Sequence, residues 1–217
     1  QVIQQEVEIW RELDHEHILK FIGACPVAEK PFMVCEMKAN GDVLTYLRKN
    51  PNASKRKILY EASLGLQYLH EKSVVHSDIK ANNILIDGRG VACLSDFGLS
   101  RIKLQTTTTI GPDSENQKQQ GTARWMAPEH LAGGTASKKS DIYSFAMTIY
   151  EVFSGRPPFP DVPTNILFSV VNEHGRRPEW TDDVRRKGLD EPMWNVVTGC
   201  WQQNPRERSS ATELANQ

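Results

Sequence analysis

Paired cysteines are missing from this chain. Cys25, Cys35, Cys93 and Cys200 are scattered over 217 residues without paired spacing, which argues against a disulfide framework or a zinc site and for reduced core thiols. A dominant charge is missing too. With 26 Lys and Arg against 27 Asp and Glu, the formal net charge is -1, so there is no basic footprint for nucleic acid or an anionic membrane. No apolar run approaches the length of a membrane span, and no charged-then-apolar leader follows the first residue, Gln1. Gly23 and Gly41 stand alone, outside any G-x-G-x-x-G run, and no internal repeat appears. What remains, 39% hydrophobic and 24% charged residues, suits one sizeable core and lies far from the disordered class. These features together lead us to expect a cytoplasmic, intracellular globular protein. In such a chain the glycosylation-like Asn52-Ala53-Ser54 is a chance match.

The richest segment is His76-Ser77-Asp78-Ile79-Lys80-Ala81-Asn82-Asn83, followed at a short distance by Asp96-Phe97-Gly98. Between them, apolar Ile84-Leu85-Ile86 and Val91-Ala92-Cys93-Leu94 flank Asp87-Gly88-Arg89-Gly90, a glycine-containing turn of the kind that closes a hairpin. In an antiparallel pair the residue before the first strand lies beside the residue after the second. Asn83 and Asp96 are therefore expected to meet at the open end, with two oxygen donors in reach of one hard cation. Magnesium suits such a pair, because it completes its shell with water and substrate phosphates. Asp78 and Lys80 add a carboxylate and a positive charge on the same loop.

The order of these residues, with Ala127-Pro128-Glu129 further on, resembles the protein kinase signature. Three ordered motifs are far more specific than a lone Asp-Phe-Gly. The resemblance implies ATP and Mg2+ as cofactors and a protein as substrate. It implies Asp78 as the base that orients the substrate hydroxyl, Asn83 and Asp96 as metal ligands, and Lys80 as the residue that steadies the γ-phosphate. Gly121 to Glu129 resembles the docking loop of the tyrosine-kinase-like group, whose members mostly phosphorylate serine or threonine. Lys80, two residues after Asp78, supports that specificity, with Thr122 expected to bridge Asp78 and Lys80.

Val2, Ile9, Trp10 and Leu13 recur at helical spacing, and Glu6 falls on the same inward stripe. A carboxylate aimed at an apolar interior needs a cation. By resemblance this is the αC helix, whose glutamate pairs with a lysine on an earlier strand. Neither that strand nor the glycine-rich loop over the ATP phosphates has a match here, so the expectation is a fragment of a longer protein, with further domains possible outside it.

Ile18 to Ala24 and Phe32 to Cys35 read as strands around a turn at Pro26 and Lys30-Pro31. By resemblance, Glu36 and Met37 form the hinge whose backbone meets adenine, and Cys35 is the gatekeeper. Asp42 can cap a helix through Leu44 and Leu47 that ends at Asn50-Pro51, and by resemblance lies near the ribose. Ile58, Leu59, Ala62, Leu66 and Leu69 line one face of a longer amphipathic helix. Between Gly98 and Ala127 the chain turns polar and aperiodic, which in the kinase frame is the activation segment. Most kinases switched by loop phosphate carry arginine where this chain has Ser77, and a hydroxyl cannot supply that cation. Alanine across Thr106 to Thr109 and at Ser114 is therefore expected to leave turnover nearly intact. A buried helix opens at Ser140-Asp141 and stops at Gly155; by resemblance, Asp141 holds the backbone around His76 and Glu129 pairs with Arg208. Trp194 and Trp201 fit core packing better than base stacking.

The fold expected is α+β and protein kinase-like, with residues 1–37 a remnant of the small lobe and hinge and 38–217 the mainly helical large lobe. Two other readings use the same residues. One is a pseudokinase or interaction scaffold without turnover, and the other is a metal-dependent phosphohydrolase of another fold. The second leaves Glu6, Ala127-Pro128-Glu129 and Arg208 unexplained.

Overall fold

The computed structural model describes residues 10–25, 32–97 and 122–216. Glu6 and its inward stripe, the turn at Pro26 and Lys30-Pro31, and the polar stretch with its threonines and Ser114 lie outside the described residues. A helical turn covers 10–12, and β1 (Phe21–Cys25) pairs antiparallel with β2 (Phe32–Cys35). Next come α1 (Val43–Lys49), α2 (Lys55–Glu71), and the ribbon of β3 (Ile84–Ile86) with β4 (Ala92–Leu94). After a 3₁₀ turn at Ala123–Trp125 follow α3 (Pro128–Leu131), α4 (Lys138–Ser154), α5 (Asp182–Arg186), α6 (Glu191–Cys200) and α7 (Ala211–Ala215). A π-helical turn at Ser169–Glu173 precedes α5. The architecture is α+β and mainly helical.

The helix ends follow from single residues. Asp42 caps α1 by accepting from the Thr45 amide at 2.9 Å, and Asn50 closes it. Ser54 caps α2. Ser137 and Ser140 cap α4 reciprocally, and Gly155 ends it at φ 72°, a left-handed position that glycine adopts without Cβ strain. Every residue of α4 from Ser140 to Ser154 is buried, because α2, α6 and the turn at Ala123–Trp125 all pack on it. Hence apolar residues occur all round the run, as suits a central helix, and its buried polar groups, Asp141 and Glu151 among them, are hydrogen-bonded to neighbouring segments.

Strand boundaries differ from the sequence reading at both ends of β1, which runs to Cys25, and at the start of β4. Ile18 is outside β1 and makes a parallel bridge to Leu94 instead, while Val91 precedes β4. The reason is tertiary: the segment 13–19 is seated on the helical body. The Leu94 amide donates to His17 O at 2.9 Å and the Leu19 amide to Leu94 O at 2.8 Å. His17 Nδ1 donates to Ala92 O at 2.9 Å, and the Ala92 amide donates to Glu61 Oε2 at 2.8 Å. Gly65 permits the approach, since a Cβ there would lie 2.3 Å from the His17 carbonyl oxygen.

Candidate active site

The β3–β4 ribbon has the register the turn residues demand. Ile84 faces Leu94, and the Ser95 amide donates to Asn83 O at 2.9 Å, so Asp96 is the next residue beyond the pair that contains Asn83. Asp87 closes the turn with its own carboxylate, which accepts from the Arg89 and Val91 amides at 2.8 and 2.9 Å. Asp96 is exposed and sits at φ 59°, a left-handed conformation that aspartate tolerates better than most residues.

Asp78, Lys80 and Asn83 form one bonded cluster. Lys80 Nζ donates to both Asp78 carboxylate oxygens, at 3.0 and 2.8 Å, and to Thr122 Oγ1 at 3.2 Å. The bridging atom is thus the ammonium, which spans Asp78 and Thr122. Asn83 Nδ2 donates to Asp78 O at 2.7 Å and to Asp78 Oδ2 at 3.2 Å. With the amide nitrogen turned to Asp78, Oδ1 is the atom that can face a cation. Among the described residues no group of three or more His, Cys, Asp or Glu could hold a metal. Magnesium asks less than that: one amide oxygen and one carboxylate, with phosphates and water completing the shell. Asn83 and Asp96 fit it on those terms.

Behind the loop, one carboxylate does the positioning expected of it. Asp141 accepts from the His76 amide (Oδ2, 2.8 Å) and the Ser77 amide (Oδ1, 2.8 Å), and Ser77 turns through φ 66° between them. Two partners were not legible in the sequence. His70, at the end of α2, is hydrogen-bonded to Asp141 Oδ2 at 2.9 Å. Glu151, on α4 and 2% exposed, accepts from the Ala81 amide and the Trp125 indole, both at 2.9 Å and both on Oε2. Burial pushes its pKa up to about 7, although those two donors and Lys80 favour the charged form. A lone glutamate within an apolar helical run was the signal that could have found it.

His76 is fully buried, and burial lowers its pKa against the pull of Asp141, Asp78 and Asp96. Its edge meets Phe97 at 6.1 Å, Phe97 meets Trp10 at 4.8 Å, and Trp10 meets Phe21 at 5.7 Å between centroids. This ring column runs from β1 to the loop that carries His76 and Asp78 and fixes the residue next to Asp96.

The remaining expected residues divide. Met37 is 85% exposed, and the Glu36 amide is engaged by Lys20 O at 3.0 Å, while its carboxylate pairs with Lys38 at 3.1 Å. Asp42 accepts both Thr45 bonds, from N and from Oγ1 at 2.6 Å. Burial raises its pKa, but these bonds outweigh that and hold it below the usual carboxylate value. Cys35 is half-buried, and burial together with Asp96 raises its thiol pKa. Glu129 and Arg208 pair bidentately, 2.7 Å for each bond. Trp194 packs edge-on against Trp201 at 5.3 Å and stacks on Trp180 at 5.6 Å, as core packing requires. No helix among the described residues is long and apolar enough to cross a membrane.

Comparison with known proteins gives a consistent picture. The family described as Protein tyrosine and serine/threonine kinase matches residues 1–217. The chain is similar to serine/threonine-protein kinase STY17 of Arabidopsis thaliana, 29% identical over 97% of this chain and 35% of the relative. It is also similar to dual specificity protein kinase shkA of Dictyostelium discoideum, 33% identical over 95% of this chain and 39% of the relative. Tyrosine-protein kinase Fer of Homo sapiens is 33% identical over 97% of this chain and 25% of the relative. The chain thus spans between a quarter and two fifths of the length of these three relatives.

Proposed function

Because the chain belongs to the protein tyrosine and serine/threonine kinase family, we propose that the whole protein transfers the γ-phosphoryl group of ATP to a serine or threonine hydroxyl of a protein substrate. The observation that carries this reading is the bonded cluster of Asp78, Lys80 and Asn83 beside Asp96 at the foot of one ribbon. Relatives named for serine/threonine, dual and tyrosine specificity all match, so the choice of acceptor rests on Lys80 and its contact with Thr122.

In this reading Asp78 orients the incoming hydroxyl and receives its proton, held in place by Lys80 and Asn83. Lys80 places a positive charge where the transferred group gains negative charge, which favours the transition state over the bound substrates. Magnesium held by Asn83 Oδ1 and the Asp96 carboxylate would neutralise phosphate oxygens. The backbone of Glu36 and Met37 meets adenine through groups other than the engaged Glu36 amide, and Asp42 reaches the ribose with lone pairs left over from its cap. Asp141 and Glu151 keep the loop rigid, so the hydroxyl is presented without reorganisation.

The test is transfer from labelled ATP by the full-length protein. Asp78→Asn should cut transfer by roughly 10²–10⁴-fold, the usual contribution of a general base, with magnesium–ATP binding retained. Unchanged transfer in that variant removes Asp78 from the role. Binding without transfer in the unmodified protein would favour a non-catalytic scaffold.

A further inference from the structure

Arg124 is the docking-loop residue that the proposed chemistry leaves without a task. Its guanidinium points out of the loop into the turn that follows α4. Nη1 donates to Pro158 O at 3.3 Å and to Phe159 O, and Nη2 donates to Val162 O at 2.8 Å. Three main-chain carbonyls converging on one planar fork match arginine and not lysine, whose ammonium is a compact point charge.

The captured turn is itself strained. Phe159 sits at φ 53°, a genuine outlier for a bulky residue that persists only when its surroundings over-determine it. Its ring is buried, and its carbonyl accepts from the Val162 amide at 3.1 Å as well as from Arg124. A separate tie lies further along the chain, where Asn172 Nδ2, on the π-helical turn, donates to Pro128 O at the start of α3 at 2.7 Å. On the opposite side, the Trp125 carbonyl accepts from Ser144 Oγ at 2.8 Å and its indole donates to Glu151. The docking loop is therefore gripped from α4 on one side and from the 158–162 turn on the other.

We propose that Arg124 is a positioning residue for the acceptor protein: by clamping the 158–162 turn it holds the backbone of 122–126 in register with Asp78 and Lys80. Its charge is committed to main-chain carbonyls and does not select an acidic residue in the substrate. The functional half of this inference rests on the kinase reading, whereas the clamp stands on geometry alone.

The experiment compares the full-length protein with its Arg124→Gln and Arg124→Lys variants. In Arg124→Gln, hydrogen exchange should speed up by about tenfold or more, together, in amides of 123–127 and of 159–167, while those of 142–152 keep their protection. Arg124→Lys should fall between. Faster exchange in 123–127 alone, or in neither segment, overturns the clamp. With dephosphorylated casein as acceptor, KM for casein should rise by about tenfold while KM for ATP stays within about twofold. An unchanged casein KM, or an equal rise in both, overturns the positioning role. If the unmodified protein binds magnesium–ATP but phosphorylates neither casein nor itself, the kinase reading fails, and exchange alone decides the clamp. Should Arg124→Gln lack a cooperative unfolding transition, Arg124→Lys carries both measurements.

Discussion

A carboxylate drawn wholly or partly out of water can stabilise or destabilise the fold depending on what faces it, and half-buried Glu129 and buried Glu151 are the two cases. Arg208 is 2% exposed and donates to Glu129 through both terminal nitrogens, while Gln202, Gln203 and Lys139 carbonyls take its other hydrogens. Arg208→Ala strands the Glu129 carboxylate and should cost ~3–5 kcal/mol, read as a lower melting temperature together with lower activity. Burial pushes Glu129 up, but the Arg208 bonds outweigh it and hold its pKa below 4.5. Its stabilisation is therefore complete above that value and is lost as pH falls through the lowered pKa. Glu151 has the opposite sign. Its native pKa of about 7 lies above the ordinary 4.5, so the native state keeps a proton that the unfolded chain releases, and stability falls as pH rises from 4.5 to about 7. Lys80 and Asp42 are the charged groups that bear on it. Glu151→Gln keeps one oxygen for both donors and should flatten that slope by up to ~3 kcal/mol. Urea unfolding of both proteins at pH 5 and pH 7.5 checks this, and an unaltered slope would contradict it.

At the scale of elements, the β3–β4 ribbon and α4 divide the work. The ribbon delivers Asn83 and Asp96 to one end by register alone, and α4 supplies Asp141 and Glu151 ten residues apart on its buried length. The segment 13–19 joins them to the preceding helical turn through Ala92, whose amide and carbonyl are both held by side chains. Gly65 is the point of closest approach. Gly65→Ala drives a methyl into the His17 carbonyl and should cost ~1–3 kcal/mol, the usual range for overpacking. A shift in the denaturation midpoint measures it. A midpoint equal to that of the unmodified protein would mean the two elements separate freely.

For the whole molecule, the expectation is linkage between nucleotide and stability. A ligand that binds only the native state stabilises it by ~2.7 kcal/mol at a hundredfold excess over its Kd. Magnesium–ATP should accordingly raise the melting temperature of the full-length protein, and a chelator should remove the metal-dependent part. Asp96→Asn should abolish that part while the metal-free melting temperature stays close to the original, because the Asp96 side chain is exposed. If the variant keeps the full magnesium-dependent shift, Asp96 is not a metal ligand.

Local chemistry decided much of this protein in advance. Periodic apolar residues, caps at Asp42, Ser54 and Ser137, and the stop at Gly155 determine the helices, since each depends on neighbours within a few positions. The turn at Asp87 to Gly90 likewise places Asn83 near Asp96. Which distant groups converge was decided only by packing. Ala81 and Trp125 lie 70 and 26 positions from the glutamate that joins them, and Arg124 reaches carbonyls 34 to 38 positions away. No local propensity records such a meeting, because a buried charge or fork of donors is satisfied by whatever the folded chain brings to it.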